Sequence, residues 1–266
     1  MQYINLLTGY KITDNIITVI SYWITDDKIY GRYIMTAMNQ SMISDEKLFT
    51  VKDPISALTH FAGAVGAVAG MPLLLLKGAV HGNSLRAMVS YAVFMLSMIL
   101  LYSASASYHS FSVNYRVNKV LKKMDHMSIF VLIAGSYTPI AAVCLNRQEG
   151  NLLIGLIWAI AAAGMVFKAC WVTCPKWVSS VIYTAMGWVC VFFLKDIYAG
   201  MGLHAFLWLF AGGVFYTVGA VIYALKPALF EYKIRGFGNH ELFHCFVLAG
   251  SLCHFIMVYQ YLTLSV

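Results

Sequence analysis

A chain of 266 residues that is 61% hydrophobic and only 11% charged, with a mean hydropathy of +0.74, carries more apolar surface than a soluble fold of this size can bury. The net charge of +7 sits at the ends of apolar runs and not on a soluble basic face, which excludes nucleic-acid binding and points to anionic lipid headgroups. The apolar runs are long enough to cross a bilayer, which takes about 20 helical residues.

Residues 1–50 contain an apolar stretch from Tyr3 to Trp23 that Lys11 and Asp14 interrupt. With no small-residue cleavage site it is unlike a signal peptide, and it reads as a cytoplasmic N-terminal extension associated with the membrane surface. Residues 51–266 then read as an all-α membrane domain, a bundle of seven transmembrane helices spanning 54–76, 87–110, 125–145, 151–168, 177–195, 203–224 and 240–262. Polar or turn-forming breaks separate them at Lys77 to Arg86, Asn114 to Lys123, Asn146 to Asn151, Cys174 to Lys176, Ala199 to Gly202 and Lys226 to Asn239. Such short breaks make sequential helices antiparallel neighbours. Pro72 and Pro139 fall inside spans one and three, where neighbouring helices can satisfy the freed carbonyls. No internal repeat suggests an inverted-repeat transporter.

Counting each break with the span ends beside it, so that Lys168 joins the fourth and Lys195 the fifth, fourteen of the eighteen Lys and Arg residues fall in the N-terminal 52 residues and at the second, fourth and sixth connections; four fall at the first, third and fifth. The positive-inside rule therefore places the N-terminus in the cytoplasm and Val266 outside, in a multi-pass protein of the plasma membrane. The six cysteines, Cys144, Cys170, Cys174, Cys190, Cys245 and Cys253, are scattered over the spans and their ends. They form no disulfide framework and read as small packing residues.

This topology brings polar residues from distant spans to one depth. His109 closes span two, Asp125 opens span three, and His240 and His244 open span seven, all on the cytoplasmic side. His240 and His244, four apart, stack on one helical face and can share an ion; Ser105 and His109 repeat the spacing. A hydrolytic zinc site uses three protein ligands and leaves a fourth position to water, and His109, His240 and His244 supply three. Asp125 would serve as general base or hold the water, and Ser105 would orient that carboxylate or a ligand. Plainer readings stand beside these: Asp125 as a helix cap, and His109 as a membrane-interface histidine. His60 is either a partner of the site or a packed histidine. His126, adjacent to Asp125, should point away from it, and His81, His204 and His254 read as structural.

The segments Asp53-Pro54-Ile55-Ser56-Ala57-Leu58-Thr59-His60, Ser105-Ala106-Ser107-Tyr108-His109, Met124-Asp125-His126, Gly135-Ser136-Tyr137-Thr138-Pro139 and His240-Glu241-Leu242-Phe243-His244 together resemble the hemolysin III branch of the progestin and adiponectin receptor (PAQR) family. The likeness runs from about residue 50 to the end and omits the N-terminal extension. It implies seven helices, a cytoplasmic N-terminus and a zinc ion near the cytoplasmic side, with His109, His240 and His244 as ligands and Asp125 and Ser105 completing the motif. It also implies a reaction, because that family is grouped with alkaline ceramidases as metal-dependent hydrolases, with membrane lipids as substrate or ligand. Two other classes of function remain open: a pore-forming cytolysin, and a receptor or regulator of membrane lipid state with a structural zinc. A third alternative takes His240-Glu241-Leu242-Phe243-His244 as the H-E-x-x-H pattern of a metalloprotease, with Glu241 as base.

Overall fold

The computed structural model describes residues 51–225 and 237–264. The N-terminal extension, most of the break from Lys226 to Asn239, and Val266 lie outside the described residues. Six stretches among the described residues are long and apolar enough to cross a membrane. The chain forms α1 (Pro54–Val80), α2 (Leu85–Ser110), α3 (Tyr115–Val143), α4 (Arg147–Cys170), α5 (Lys176–Gly187) and α6 (Leu194–Leu225), then α7 (Asn239–Gln260). A 3-10 turn, Trp188–Phe193, joins α5 to α6. The fifth apolar stretch is the whole run Lys176–Leu225, 50 residues long, and it breaks at Gly202, where φ 72 and ψ 172 end the helical path. Only glycine adopts that backbone without strain, so the break expected between Ala199 and Gly202 has a local chemical cause.

Three starts follow from side-chain caps. Ser84 accepts from the Ala87 amide (3.3 Å), Asn114 from Val117 (2.9 Å) and Asn146 from Glu149 (3.0 Å), each satisfying a helix donor that would otherwise be free. The Asn114 cap corrects one boundary. The segment Asn114 to Lys123, read above as a break, is helical from Tyr115 onward. Hydropathy marks where α3 enters the apolar region, whereas the cap marks where the helix begins. Asp125 therefore lies inside α3 and is not its cap.

Sequential helices pack together, and α1 also packs on α7, which closes the bundle into a ring. The inner face of α1 is mostly small, with Ser56, Ala57, Ala64, Ala67, Gly70 and Gly78 beside the larger His60 and Leu74, while Leu58, Phe61, Val65, Leu73 and Leu76 point outward. Small residues inside and large apolar ones outside are the pattern of a helix that packs through close backbone approach and faces lipid. Gly135 of α3 sits against the Ser97 side chain of α2, and Gly164 of α4 against the Phe130 ring of α3. Tyr137 ties α3 to the end of α5: its hydroxyl donates to the Gly187 carbonyl (2.6 Å) and accepts from the Cys190 amide (2.9 Å). At the α4–α5 turn the fully buried Lys168 donates to Cys174 Sγ (3.0 Å) and Ser179 Oγ (2.6 Å). All six cysteines are free.

Candidate metal centre

The ends of α1, α2 and α7 meet where the short segment before α1 runs beside the end of α2. The Asp53 amide donates to the His109 carbonyl (2.9 Å) and the Lys52 amide to that of Ser110 (3.3 Å). That pairing brings the Asp53 carboxylate to His109, with Oδ2 2.9 Å from Nδ1. A carboxylate only accepts, so His109 carries its proton on Nδ1 and presents the Nε2 lone pair to the interior.

His244 is set in the same sense by a different partner. The Thr59 hydroxyl donates to the Ser56 carbonyl (2.9 Å) and lies 3.4 Å from His244 Nδ1. Its hydrogen being used, it accepts from Nδ1–H and leaves Nε2 of His244 unprotonated. The His60 ring stacks on His244 at 3.7 Å and 11°, which holds the imidazole plane. His240 Nε2 stands 3.2 Å from His109 Nε2, and its Nδ1 has no partner among the described residues.

One nitrogen from each of His109, His240 and His244 lies within 4.8 Å of the others. Nitrogens around a tetrahedral ion, with bonds of 2.0 to 2.1 Å, stand about 3.3 Å apart. The His109–His240 separation already matches, and His244 needs a shift of rotamer scale. His109 and His244 are almost wholly buried, and outer partners hold two of the three rings as metal sites require. This donor set fits a metal ion.

Glu241 does other work. Its Oε1 accepts from Ser56 Oγ (2.7 Å) and its Oε2 from the Gly238 amide (2.9 Å), so the carboxylate starts α7 and ties it to α1. Both oxygens are engaged, which disfavours Glu241 as the base of an H-E-x-x-H protease. Asp125 is buried and lines a cavity of about 290 Å³ together with His60, Ser105, His126, His240 and His244. His126 does not point away from Asp125 as expected. Its Nδ1 bonds the Lys122 carbonyl (2.9 Å) and lies 3.3 Å from Asp125 Oδ2, because the ring folds back along its own helix and meets the neighbouring carboxylate. Nor does Ser105 bond Asp125: its buried Oγ has no hydrogen-bond partner among the described residues. His60 is likewise buried, with neither ring nitrogen hydrogen-bonded among the described residues.

Sequence reasoning gave Asp53 and Thr59 no role, although both lie in the segment that carries the resemblance. Their signal is only that a carboxylate and a hydroxyl precede His60 within two helical turns; which imidazole each serves depends on chain pairing across α1, α2 and α7. Asp53→Ala is expected to weaken metal binding by about 10- to 100-fold, the usual cost of losing an outer partner. Competition with a calibrated chelator measures it, and unchanged affinity would remove Asp53 from the site.

The family described as "Haemolysin-III related" matches residues 49–255. The chain is 33% identical over 213 residues to "Hemolysin-3" of Bacillus cereus, covering 80% of this chain and 93% of that protein. It is 34% identical over 215 residues to "Hemolysin-3 homolog" of Bacillus subtilis, covering 80% and 96%.

Proposed function

Because the chain belongs to the haemolysin III-related family of multi-pass membrane proteins, within the PAQR family, we propose that it is a zinc-dependent hydrolase of a membrane lipid amide or ester. The observation that carries this reading is a mostly apolar cavity lined by a buried carboxylate, Asp125, and by His240 and His244, two members of a three-imidazole cluster. Zinc suits a set of three neutral imidazoles with an open position better than harder ions, which prefer oxygen. When bound, it supplies Lewis acidity toward a carbonyl oxygen and activates a water.

The chain's own groups do the rest. The apolar wall holds the lipid chain and keeps bulk water from the reacting carbonyl. Asp125 takes the proton from the attacking water and returns it to the leaving amine or alkoxide. His126 Nδ1–H, shared between the Lys122 carbonyl and the carboxylate, restricts the Asp125 rotamer. The test is zinc analysis of the purified protein beside a mass-spectrometric search for fatty-acid product from ceramide-like and ester lipids in liposomes. Bound zinc with no product from any lipid would move the site to a structural role in a receptor or regulator.

In this reading the break at Gly202 divides the run Lys176–Leu225 into two crossings. Fifty helical residues would extend about 75 Å against a hydrocarbon core of about 30 Å. Seven crossings follow, with the N-terminus and the histidine cluster on the cytoplasmic side and the C-terminus outside. A reporter fused after Val266 should then register outside and one inserted between Asn114 and Tyr115 in the cytoplasm; both on the same side would refute seven crossings.

A further inference from the structure

α3 is longer than one crossing needs. Its 29 residues extend about 43 Å at 1.5 Å per residue, against a hydrocarbon core of about 30 Å, so about nine residues project beyond the core. The surplus falls at the start of the helix, because its buried stretch begins only at Asp125, and that start carries Arg116, Lys119, Lys122 and Lys123. Residues 111–124 contain no Asp or Glu. No ion pair reaches any of the four cations among the described residues, and Lys119 lies only over the Tyr115 ring, at 5.7 Å. Asp53, Asp125 and Glu241, the described carboxylates of this end of the bundle, are engaged with His109, His126 and Ser56.

The order of these residues along the helix sorts charge from apolar surface. Arg116, Lys119 and Lys123 are spaced i, i+3, i+7 and fall within an arc of about 60° on one side of the helix. Val117, Val120 and Met124 occupy the adjacent arc, and all three are exposed. Side chains on a helix lean toward its N-terminus, which here is the end outside the hydrocarbon. The long basic side chains therefore carry their charge outward while their stems run beside the apolar strip. A cationic stripe next to an apolar one, at the depth where hydrocarbon gives way to headgroups, is complementary to a molecule with an anionic head above an acyl chain.

We propose that Arg116, Lys119 and Lys123 dock the phosphodiester headgroup of an anionic phospholipid whose acyl chain lies against Val117, Val120 and Met124. The inference goes beyond the hydrolase reading and does not rest on it: the lipid is a partner held on the outer surface of α3, not an occupant of the cavity. Arg116 and Lys119 are exposed and carry no protein contact that a headgroup would have to displace beyond the Tyr115 ring. The lipid supplies the counter-charge that the neighbouring chain lacks.

The test titrates the purified full-length protein in a neutral detergent with dioleoylphosphatidylglycerol or dioleoylphosphatidylcholine and counts bound lipid by native mass spectrometry. The two lipids share their chains and differ in headgroup charge. Phosphatidylglycerol should bind the unaltered protein more tightly. Replacing both Arg116→Gln and Lys119→Gln should lower its affinity about 25-fold, about fivefold for each cation at a lipid surface, while phosphatidylcholine stays within about twofold. The control pair, Arg147→Gln with Lys195→Gln, removes two cations that are equally exposed and lie outside the stripe, and it should leave both affinities near those of the unaltered protein. Equal affinity of the two lipids for the unaltered protein would overturn the proposal. So would a phosphatidylglycerol preference that survives the loss of Arg116 and Lys119, or one that falls as far in the control pair. Should the first pair not fold, lysine acetylation of the unaltered protein in the same detergent decides: phosphatidylglycerol, and not phosphatidylcholine, should slow the labelling of Lys119 and leave Lys195 unchanged, and unslowed labelling of Lys119 would overturn the proposal.

Discussion

If the proposed hydrolase reading holds, replacing His244 with alanine is expected to cost the protein its metal and, with it, all lipid turnover. His244 is the best-supported of the three imidazoles: Thr59 sets its tautomer, His60 stacks on its face, and its burial leaves it no competing solvent partner. Its removal leaves His109 and His240, a two-nitrogen site. The loss in metal affinity should exceed the roughly hundredfold upper end for removing an outer partner, because a direct ligand is gone and the residual bonds cannot enclose the ion. Helical content should stay near wild type, since the bundle is held by the packing of sequential helices and of α1 on α7 and not by one imidazole. Metal content by mass spectrometry and far-ultraviolet circular dichroism read the two parts separately. His81→Ala is the control, because His81 is exposed and bonds only its own helix at the Lys77 carbonyl. Full metal occupancy in His244→Ala would mean that the ion sits elsewhere.

The second large effect separates chemistry from architecture. Asp125→Asn should keep the fold and the metal within a few-fold yet lower turnover by about 10² to 10⁴, the usual worth of a positioned general base. The amide oxygen can still accept from His126 Nδ1–H, so the contact within α3 survives. What disappears is an atom able to take the proton. Initial rates of lipid hydrolysis at saturating zinc measure this, with zinc stoichiometry checked on the same preparation. Undiminished turnover would sink the proposed role of Asp125 while leaving the histidine cluster untouched.

The membrane character of the chain was legible because it is a bulk property. Long apolar runs can be satisfied only by helices in lipid, whatever their neighbours. The approximate ends of the runs were legible for the same reason, and Gly202 marked its own break by being the residue that tolerates positive φ. Where hydropathy and capping disagree, hydropathy misleads: Asn114 starts α3 about ten residues before the apolar run, and this removed the cap reading of Asp125. The gathering of His109, His240 and His244 was legible from depth and spacing, since antiparallel helices return to the same face of the membrane at predictable intervals.

Depth says nothing about rotation or about which side chains meet across helices, and the sequence was silent or wrong there. Asp53 and Thr59 became tautomer-setting partners only through the pairing of residues 52 and 53 with the end of α2 and the packing of α1 on α7. Glu241 stands inside a plausible protease pattern, yet the helix start at Gly238 and the nearness of Ser56 turn it into a tether. His126 faces Asp125 because its ring folds back along its own helix, which adjacency in sequence does not reveal. Composition and local pattern thus determined that the chain is a helical membrane protein with a histidine cluster at one end. The tertiary structure decided which nitrogen each histidine offers, because hydrogen bonding and ring stacking act over 3 to 4 Å between residues that the chain keeps far apart.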